Sequence, residues 1–431
     1  MLNQHPFLRT VFSTGALQGF SRLLALLMGV AMARLLGPEN FGAYGFVVSA
    51  MAIALILPSA GIHELTVREV ARCIAMEDND RLVQYLRWSS LYTLVFGAVA
   101  IVLFAWYLSI TPFEVLSVSS IFLACVLLFL RALLIRQGGL LTGLKRPAMA
   151  VFSTLTMIPL CAIVMIAGFT WADIQWHLSW MLAIQVASVT IGFGLAYRVT
   201  RQFFKPRAFV SSSVFFSRWW TILLPLALVK VVLTLNAELA SVILGTMEGT
   251  VSVGYFKVAF QAAALLALGQ VTMDRIIAPK ISSAFARADM ARVNGLFIRA
   301  ALLNLLVAIP TGIGLVLVGQ WLVVNLFGME YLAAYPLIIV LVLGQLGSVF
   351  MGPCDSVLCM TGNERFYLFS LLIGLVVLVL SLYFLIPVYH EMGAAIAVAL
   401  TGVSISIVSW YCVRSKIGLE FWLWRVLRGR F

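Results

Sequence analysis

Residues Ala33 to Ala50 read ARLLGPENFGAYGFVVSA: two apolar runs broken by Gly-Pro-Glu-Asn, with an arginine just before the break. Proline and glycine punctuate a turn, so the stretch predicts a tight hairpin between two hydrophobic segments. A loose copy, ILGTMEGTVSVGYFKVA, occupies Ile243 to Ala259. The surroundings say what kind of hairpin this is. Hydrophobic residues make up 62% of the 431 positions and charged residues 11%, against roughly 45–50% apolar in an ordinary soluble domain. Apolar runs recur at roughly residues 11–33, 41–62, 88–109, 115–136, 148–168, 176–197, 219–244, 251–273, 298–324, 334–356, 366–387 and 392–413. About 20 apolar residues cross a bilayer as a helix, and these runs neither alternate nor shorten as barrel strands would. The expectation is an all-α polytopic membrane protein with twelve transmembrane helices. The first run lacks a cleavage signature and reads as an uncleaved span.

Charge then orients the chain. Alternate connections carry Arg68, Arg72, Arg81 and Arg87; Lys145 and Arg146; Arg198, Arg201, Lys205 and Arg207; Arg275, Lys280 and Arg287; and Arg365. The intervening ones carry Glu39, Glu114, Asp173, Glu248, Glu330 and Glu391, with Arg34 at a span edge. Cytoplasmic loops hold the excess of Lys and Arg, so both termini are expected in the cytoplasm. The net charge of +12 is thereby a topology signal, and no nucleic-acid partner is expected. The tail after residue 413, GLEFWLWRVLRGRF at its end, interleaves aromatics with arginines and suits the headgroup region. Six cysteines form no CxxC pair, and the four histidines have no ligand spacing, so neither a disulfide framework nor a metal is expected.

The two hairpins belong to a longer repeat. Leu36-Gly37 aligns with Leu244-Gly245, Gly42 with Gly254, and Thr142-Gly143-Leu144-Lys145-Arg146 with Thr361-Gly362-Asn363-Glu364-Arg365. Three matches in order imply duplication. Each half has six spans, an even number, so the halves enter the membrane alike and are expected to be two six-helix bundles related by a pseudo-two-fold along the membrane normal. The domain reading is 1–205, 206–413 and an interfacial tail, 414–431.

The run ARLLGPENFGAYG, Gly61 and VREVAR (Val67 to Arg72) resemble the start of O-antigen flippases. So do APKIS (Ala278 to Ser282), LFGMEY (Leu326 to Tyr331), MTGNERF (Met360 to Phe366) and GAAIAVAL (Gly393 to Leu400) in the second half. These belong to the polysaccharide transporter branch of the multidrug/oligosaccharidyl-lipid/polysaccharide exporter superfamily. The resemblance spans nearly the whole chain. It implies flipping of an undecaprenyl-diphosphate-linked oligosaccharide from the cytoplasmic to the periplasmic leaflet of a bacterial inner membrane. The implied partners are that glycan, membrane lipids, and a polysaccharide polymerase with chain-length proteins. The nearest rival on the same fold is a multidrug and toxin extrusion antiporter. Short outer loops argue against a glycosyltransferase, and no Walker motif is present, so no enzymatic activity is expected.

Six cations lie in or at the edge of spans: Arg22, Arg34, Arg131, Arg136, Lys230 and Lys257. An ionised side chain at a helix centre costs roughly 2.5–3.5 kcal/mol on insertion scales. Arg22 shares a stripe with Gly15, Gln18, Ala25 and Gly29, and Lys230 with Thr234, Glu238 and Ser241, faces suited to a polar cavity. Arg131 sits between these and the span end. Arg34, Arg136 and Lys257 either snorkel or line the cavity. Guanidinium groups meet phosphate oxygens bidentately, so the six are the expected diphosphate-binding set. Among the acids, Glu238, beside Asn236, either neutralises Lys230 or holds a coupling proton or sodium ion; Glu64 and Asp355 are further embedded acids. No organic cofactor is called for.

Overall fold

The structure is a computed structural model and describes residues 6–113, 115–170, 176–203 and 216–418. Glu114, Asp173, the basic loop of Lys205 and Arg207, and most of the interfacial tail lie outside the described residues. The described residues are helical almost throughout, in order α1 (Pro6–Ala54), α2 (Ile56–Ser59), α3 (Ile62–Ala75), α4 (Asn79–Ser109), α5 (Val118–Gly143), α6 (Pro147–Val151), a π-helical turn (Phe152–Thr156), α7 (Met157–Thr170), α8 (Leu178–Arg201), α9 (Phe216–Glu248), α10 (Thr250–Ala286), α11 (Met290–Leu326), α12 (Ala334–Phe350), α13 (Cys354–Met360) and α14 (Glu364–Ile417).

Among the described residues, eight helical stretches are long and apolar enough to cross a membrane. Two of these are pairs: α1 breaks at Gly37 and α14 at His390. The limbs of α14 fold back on each other, with Ser409 Oγ donating to Ser370 Oγ at 2.9 Å. Helices α12 and α13 make one span bent by 46°, and α10, with its apolar stretch Thr250–Leu266, supplies the last. The sum is the expected twelve. The basic connections differ from a loop reading, because α3 runs on to Ala75 and α4 starts at Asn79. Arg68, Arg72, Arg81 and Arg87 therefore stand on helices that continue past the apolar stretch.

Backbone conformation sharpens the repeat. Gly37 has φ 68°, ψ 173° and Gly249 has φ 88°, ψ −177°, a region open essentially to glycine alone. These two, 212 residues apart, are the equivalent turn glycines; Gly245, matched to Gly37 by sequence, lies inside α9. Gly42 and Gly254 keep the same spacing. A further match follows at the next connection: Glu77 (φ 55°) and Ala288 (φ 56°) each precede an aspartate. Asp78 and Asp289 each accept from a backbone N–H three residues on, that of Arg81 or Arg292, at 3.0 Å. Both are N-caps, which satisfy orphan donors of the first turn.

The chain divides into two compact units, Met1–Leu239 and Ala240–Phe431. The sequence placed the division in the loop at 205/206, but the first part of α9 packs with the N-terminal unit. There Trp219 and Leu223 join Ile62, Leu65, Tyr85, Trp88 and Leu140 in one buried cluster. The Trp219 ring lies 5.3 Å from Trp88 and 5.5 Å from Tyr85, centroid to centroid, contacts worth about 0.5–1.5 kcal/mol each beyond area burial. Under this cluster Glu69 has no exposed surface. Its Oε2 accepts from Arg81 Nη2 at 2.9 Å and from Trp219 Nε1 at 3.3 Å. The bond to Glu69 holds the Arg81 pKa above its ordinary value. Three spans, the second, third and seventh, are thus tied at one carboxylate.

In the C-terminal unit, Gln345 Nε2 donates to Gln270 Oε1 at 3.2 Å between α12 and α10. His390 Nδ1 lies 2.8 Å from Glu248 Oε2 at the turns that end α9 and split α14. The expected orientation is tested by cysteine labelling. A cysteine replacing Glu330 should react with an impermeant thiol reagent added to intact cells, and one replacing Asn79 should not. Labelling at Asn79 alone would reverse the topology.

Candidate functional site

Span two carries the first feature of the site. Its helix stops at Ala54, resumes for Ile56–Ser59, and turns through Ala60 and a left-handed Gly61 (φ 73°) before α3 begins. A Cβ on Gly61 would lie 2.9 Å from the backbone nitrogen of Ala227 on α9, so α9 packs closely against the break. Span five is irregular too. The π-helical turn Phe152–Thr156 interrupts it, a device frequent at functional sites, and Thr156 Oγ1 meets Ser21 Oγ of span one at 2.7 Å.

These irregular segments wall a cavity of about 510 Å³ inside the N-terminal unit. Thr14 and Gln18 face it from α1, His63 from α3, Arg131 and Thr142 from α5, and Thr154 from the π turn; Leu55, Leu134, Leu155 and Ile158 complete it. A mostly apolar pocket of this size with a few convergent polar groups is the usual form of a small-ligand site. Two buried polar atoms in its wall, Gln18 Oε1 and Arg131 Nε, have no hydrogen-bond partner among the described residues. A buried unsatisfied group costs about 1–3 kcal/mol, more if charged, a cost that a bond from a bound molecule would offset.

Arg131 does not stand in a purely cationic field. Glu238 and Tyr44 act on it electrostatically, and Glu238 accepts from Ser49 Oγ at 2.7 Å. Lys230 acts in turn on His63, which lies 4.0 Å from Glu64. At 1.5 Å per residue, Arg131 stands roughly 20 Å along α5 from its start, and Arg22 a similar distance along α1 from Gly37. The structure thus brings Arg131 into the cavity wall, where the charge of Glu238 reaches it; Lys230 is exposed, and neither it nor Glu238 is among the described lining residues.

The other expected residues go elsewhere. Arg22 is exposed on α1, one turn from Gln18, outside the cavity wall. Arg34 is exposed at the end of the first limb of α1. Arg136 neither snorkels nor lines the cavity. It is 9% exposed, and its guanidinium donates to Ser89 Oγ and the Leu86 carbonyl, each at 3.0 Å; it pins α5 to α4. Asn236 donates to the Val232 carbonyl of its own helix at 3.0 Å. Glu64 is exposed, and Lys257 and Asp355 are half-buried in the C-terminal unit, the latter in the first turn of α13. Gln18, expected on a cavity-suited stripe of the first span, does line the cavity; sequence reasoning missed His63 and Glu69. The available signals were a histidine two residues after Gly61 and an acid between two arginines in VREVAR.

Twelve helical spans among the described residues, in two repeated sets of six, with a mostly apolar cavity carrying a few polar groups inside the first unit, define a multi-pass membrane protein. A multidrug resistance MATE family transporter of the MOP superfamily, solved inward-facing, is similar over 95% of this chain and 98% of its own, with 14% identity and a TM-score of 0.75. The lipid II flippase MurJ, inward closed, is similar over 93% and 87%, with 15% identity and a TM-score of 0.73. A MOP superfamily transporter from Pyrococcus furiosus, described as having a binding pocket of reverse polarity, is similar over 95% of each chain, with 16% identity and a TM-score of 0.66. A comparison with curated protein sequences gives no match. Residues 7–284, more than half of the chain, match the polysaccharide biosynthesis protein family, and the chain belongs to that family.

Proposed function

We propose that the protein is a flippase for a lipid-linked oligosaccharide, carrying an undecaprenyl-diphosphate-bound repeat unit from the basic, cytoplasmic face of a bacterial inner membrane to the opposite face by alternating access. The observation that carries this reading is Arg131: a guanidinium in the cavity wall whose Nε has no hydrogen-bond partner among the described residues. A diphosphate offers several acceptor oxygens and negative charge, which suit that group. Apolar walls around it accommodate the first isoprene units, while the rest of the tail stays in lipid. Lys230, whose charge acts on His63 in the cavity wall, adds to the positive field there. Family membership supports a polysaccharide substrate, as does the fold shared with a lipid II flippase. A cation-expelling antiporter fits less well, because Arg131 repels a cationic drug.

Deletion of the gene tests the reading. The strain should lose surface polysaccharide and accumulate glycan-bearing lipid in the cytoplasmic leaflet, with drug susceptibility unchanged. Normal surface glycan in the deletion strain removes the proposal.

Glu238 is the proposed carboxylate for a coupling proton or sodium ion, since it faces Ser49 across to span two and shares its field with Arg131. Glu238→Gln should then transport at a rate no longer set by the ion gradient, with the protein inserted normally. If its role is only to balance charge, Glu238→Gln combined with Lys230→Met recovers most of the loss. Gradient dependence equal to wild type in the single variant excludes coupling through Glu238.

A further inference from the structure

The same N-terminal unit carries a second pocket, of about 480 Å³, at the end bearing the acidic connections. Its polar wall is Glu39 and Asn40 from the turn after Gly37, Ser117 and Ser120 at the start of α5, and His177 and Ser179 at the start of α8. Among the lining residues there is no lysine or arginine, in contrast to the cavity around Arg131. We propose that this pocket is a glycan subsite, taking hydroxyl groups of the oligosaccharide on the face where it emerges; the inference rests on the flippase reading above.

Chemistry selects the ligand class. A phosphate offers only acceptors at neutral pH and meets the Glu39 carboxylate, which repels it. Among the described lining residues a lipid tail finds only Val115 and Leu178 for apolar contact. Among the described lining residues a cation has one carboxylate to attract it, and it faces three helix starts, whose N-termini carry positive partial charge. A neutral polyol has none of these conflicts. Each sugar hydroxyl both donates and accepts, and so do Asn40, the serines and His177, while Glu39 supplies a strong acceptor. Ser117 Oγ already lies 2.9 Å from Ser120 Oγ and caps α5 by accepting from the Ser120 N–H at 3.3 Å, so the hydroxyls are held in place before any ligand arrives. Helix α5 joins the two sites: Ser117 and Arg131 stand at opposite ends of roughly 20 Å of one rod. Phosphate is recognised at one end and sugar at the other, which gives the transported molecule a second hold as the first lets go.

Photocrosslinking in nanodiscs tests this. The photoreactive residue p-benzoylphenylalanine is placed at Ser179 in one protein and at Leu155, in the wall of the Arg131 cavity, in another. Each is irradiated with lipid-linked oligosaccharide extracted from the deletion strain, and captured glycan is detected by periodate–hydrazide staining. The proposal expects a glycan-positive band from both positions. Adding Glu39→Gln and Asn40→Ala should lower the Ser179 band about tenfold, the loss expected from two polar contacts, and leave the Leu155 band unchanged, which also shows that the variant is folded. A band at Leu155 with none at Ser179 overturns the subsite and leaves the flippase reading standing. A Ser179 band indifferent to Glu39 and Asn40 overturns it likewise. No band at either position overturns both.

Discussion

Arg81→Met should cost the N-terminal unit about 3 kcal/mol of stability or more. The change leaves the Glu69 carboxylate, which has no exposed surface, with only the Trp219 indole N–H as a donor among its described partners. Removing one partner of a buried pair costs more than removing both, so Glu69→Gln added to Arg81→Met should recover a large part of the loss. Trp219→Phe, which deletes one neutral donor and keeps most of the ring packing, should cost about 1–2 kcal/mol. Thermal unfolding of detergent-purified protein, followed by tryptophan fluorescence, ranks the variants. If Arg81→Met melts with the parent, the carboxylate is not what holds spans two, three and seven together.

Arg131→Ala should reduce transport by about ten- to a hundredfold, the scale of one charge-assisted contact of roughly 1.5–3 kcal/mol. Arg131→Glu should abolish it if the proposed flippase reading holds, because an anion then stands where that reading puts the diphosphate. Arg131→Lys keeps the charge and loses the planar fork, so partial function is expected. The readout is surface glycan restored in a deletion strain, per inserted protein. Arg136→Met supplies the contrast: its guanidinium is spent on Ser89 and Leu86, so it should lower the amount of folded protein more than the activity of what remains. Wild-type transport by Arg131→Glu would leave the flippase reading resting on family and fold.

The spans and their turns were legible because a bilayer imposes one coarse rule on every segment, apolar length, and glycine with proline marks the exceptions. The duplication was legible too, although the Gly37 match was misplaced by four residues. The letters around Gly245 resemble those around Gly37, but only backbone dihedrals reveal that Gly249 makes the turn. Site residues were harder. Arg131 stood out as a charge among leucines, and Arg136, five residues on, stood out equally. Only tertiary contact separates a guanidinium bound to Ser89 from one in a cavity wall. Glu69 was hidden for the same reason, since its indole partner lies 150 residues away. A cavity has no signature in one strand of letters when its walls come from four spans.

The glycine turn at residue 37 bears on biogenesis. Its ψ near 180° with positive φ lets the first two spans reverse with almost no connecting chain, so little polar backbone has to be threaded through the translocon. Such a pair can enter the bilayer as one hairpin, before the ribosome has finished the first unit. A bulky residue there would disturb how the nascent chain is laid into the membrane, and its mark would be protein degraded at birth rather than a carrier that works slowly.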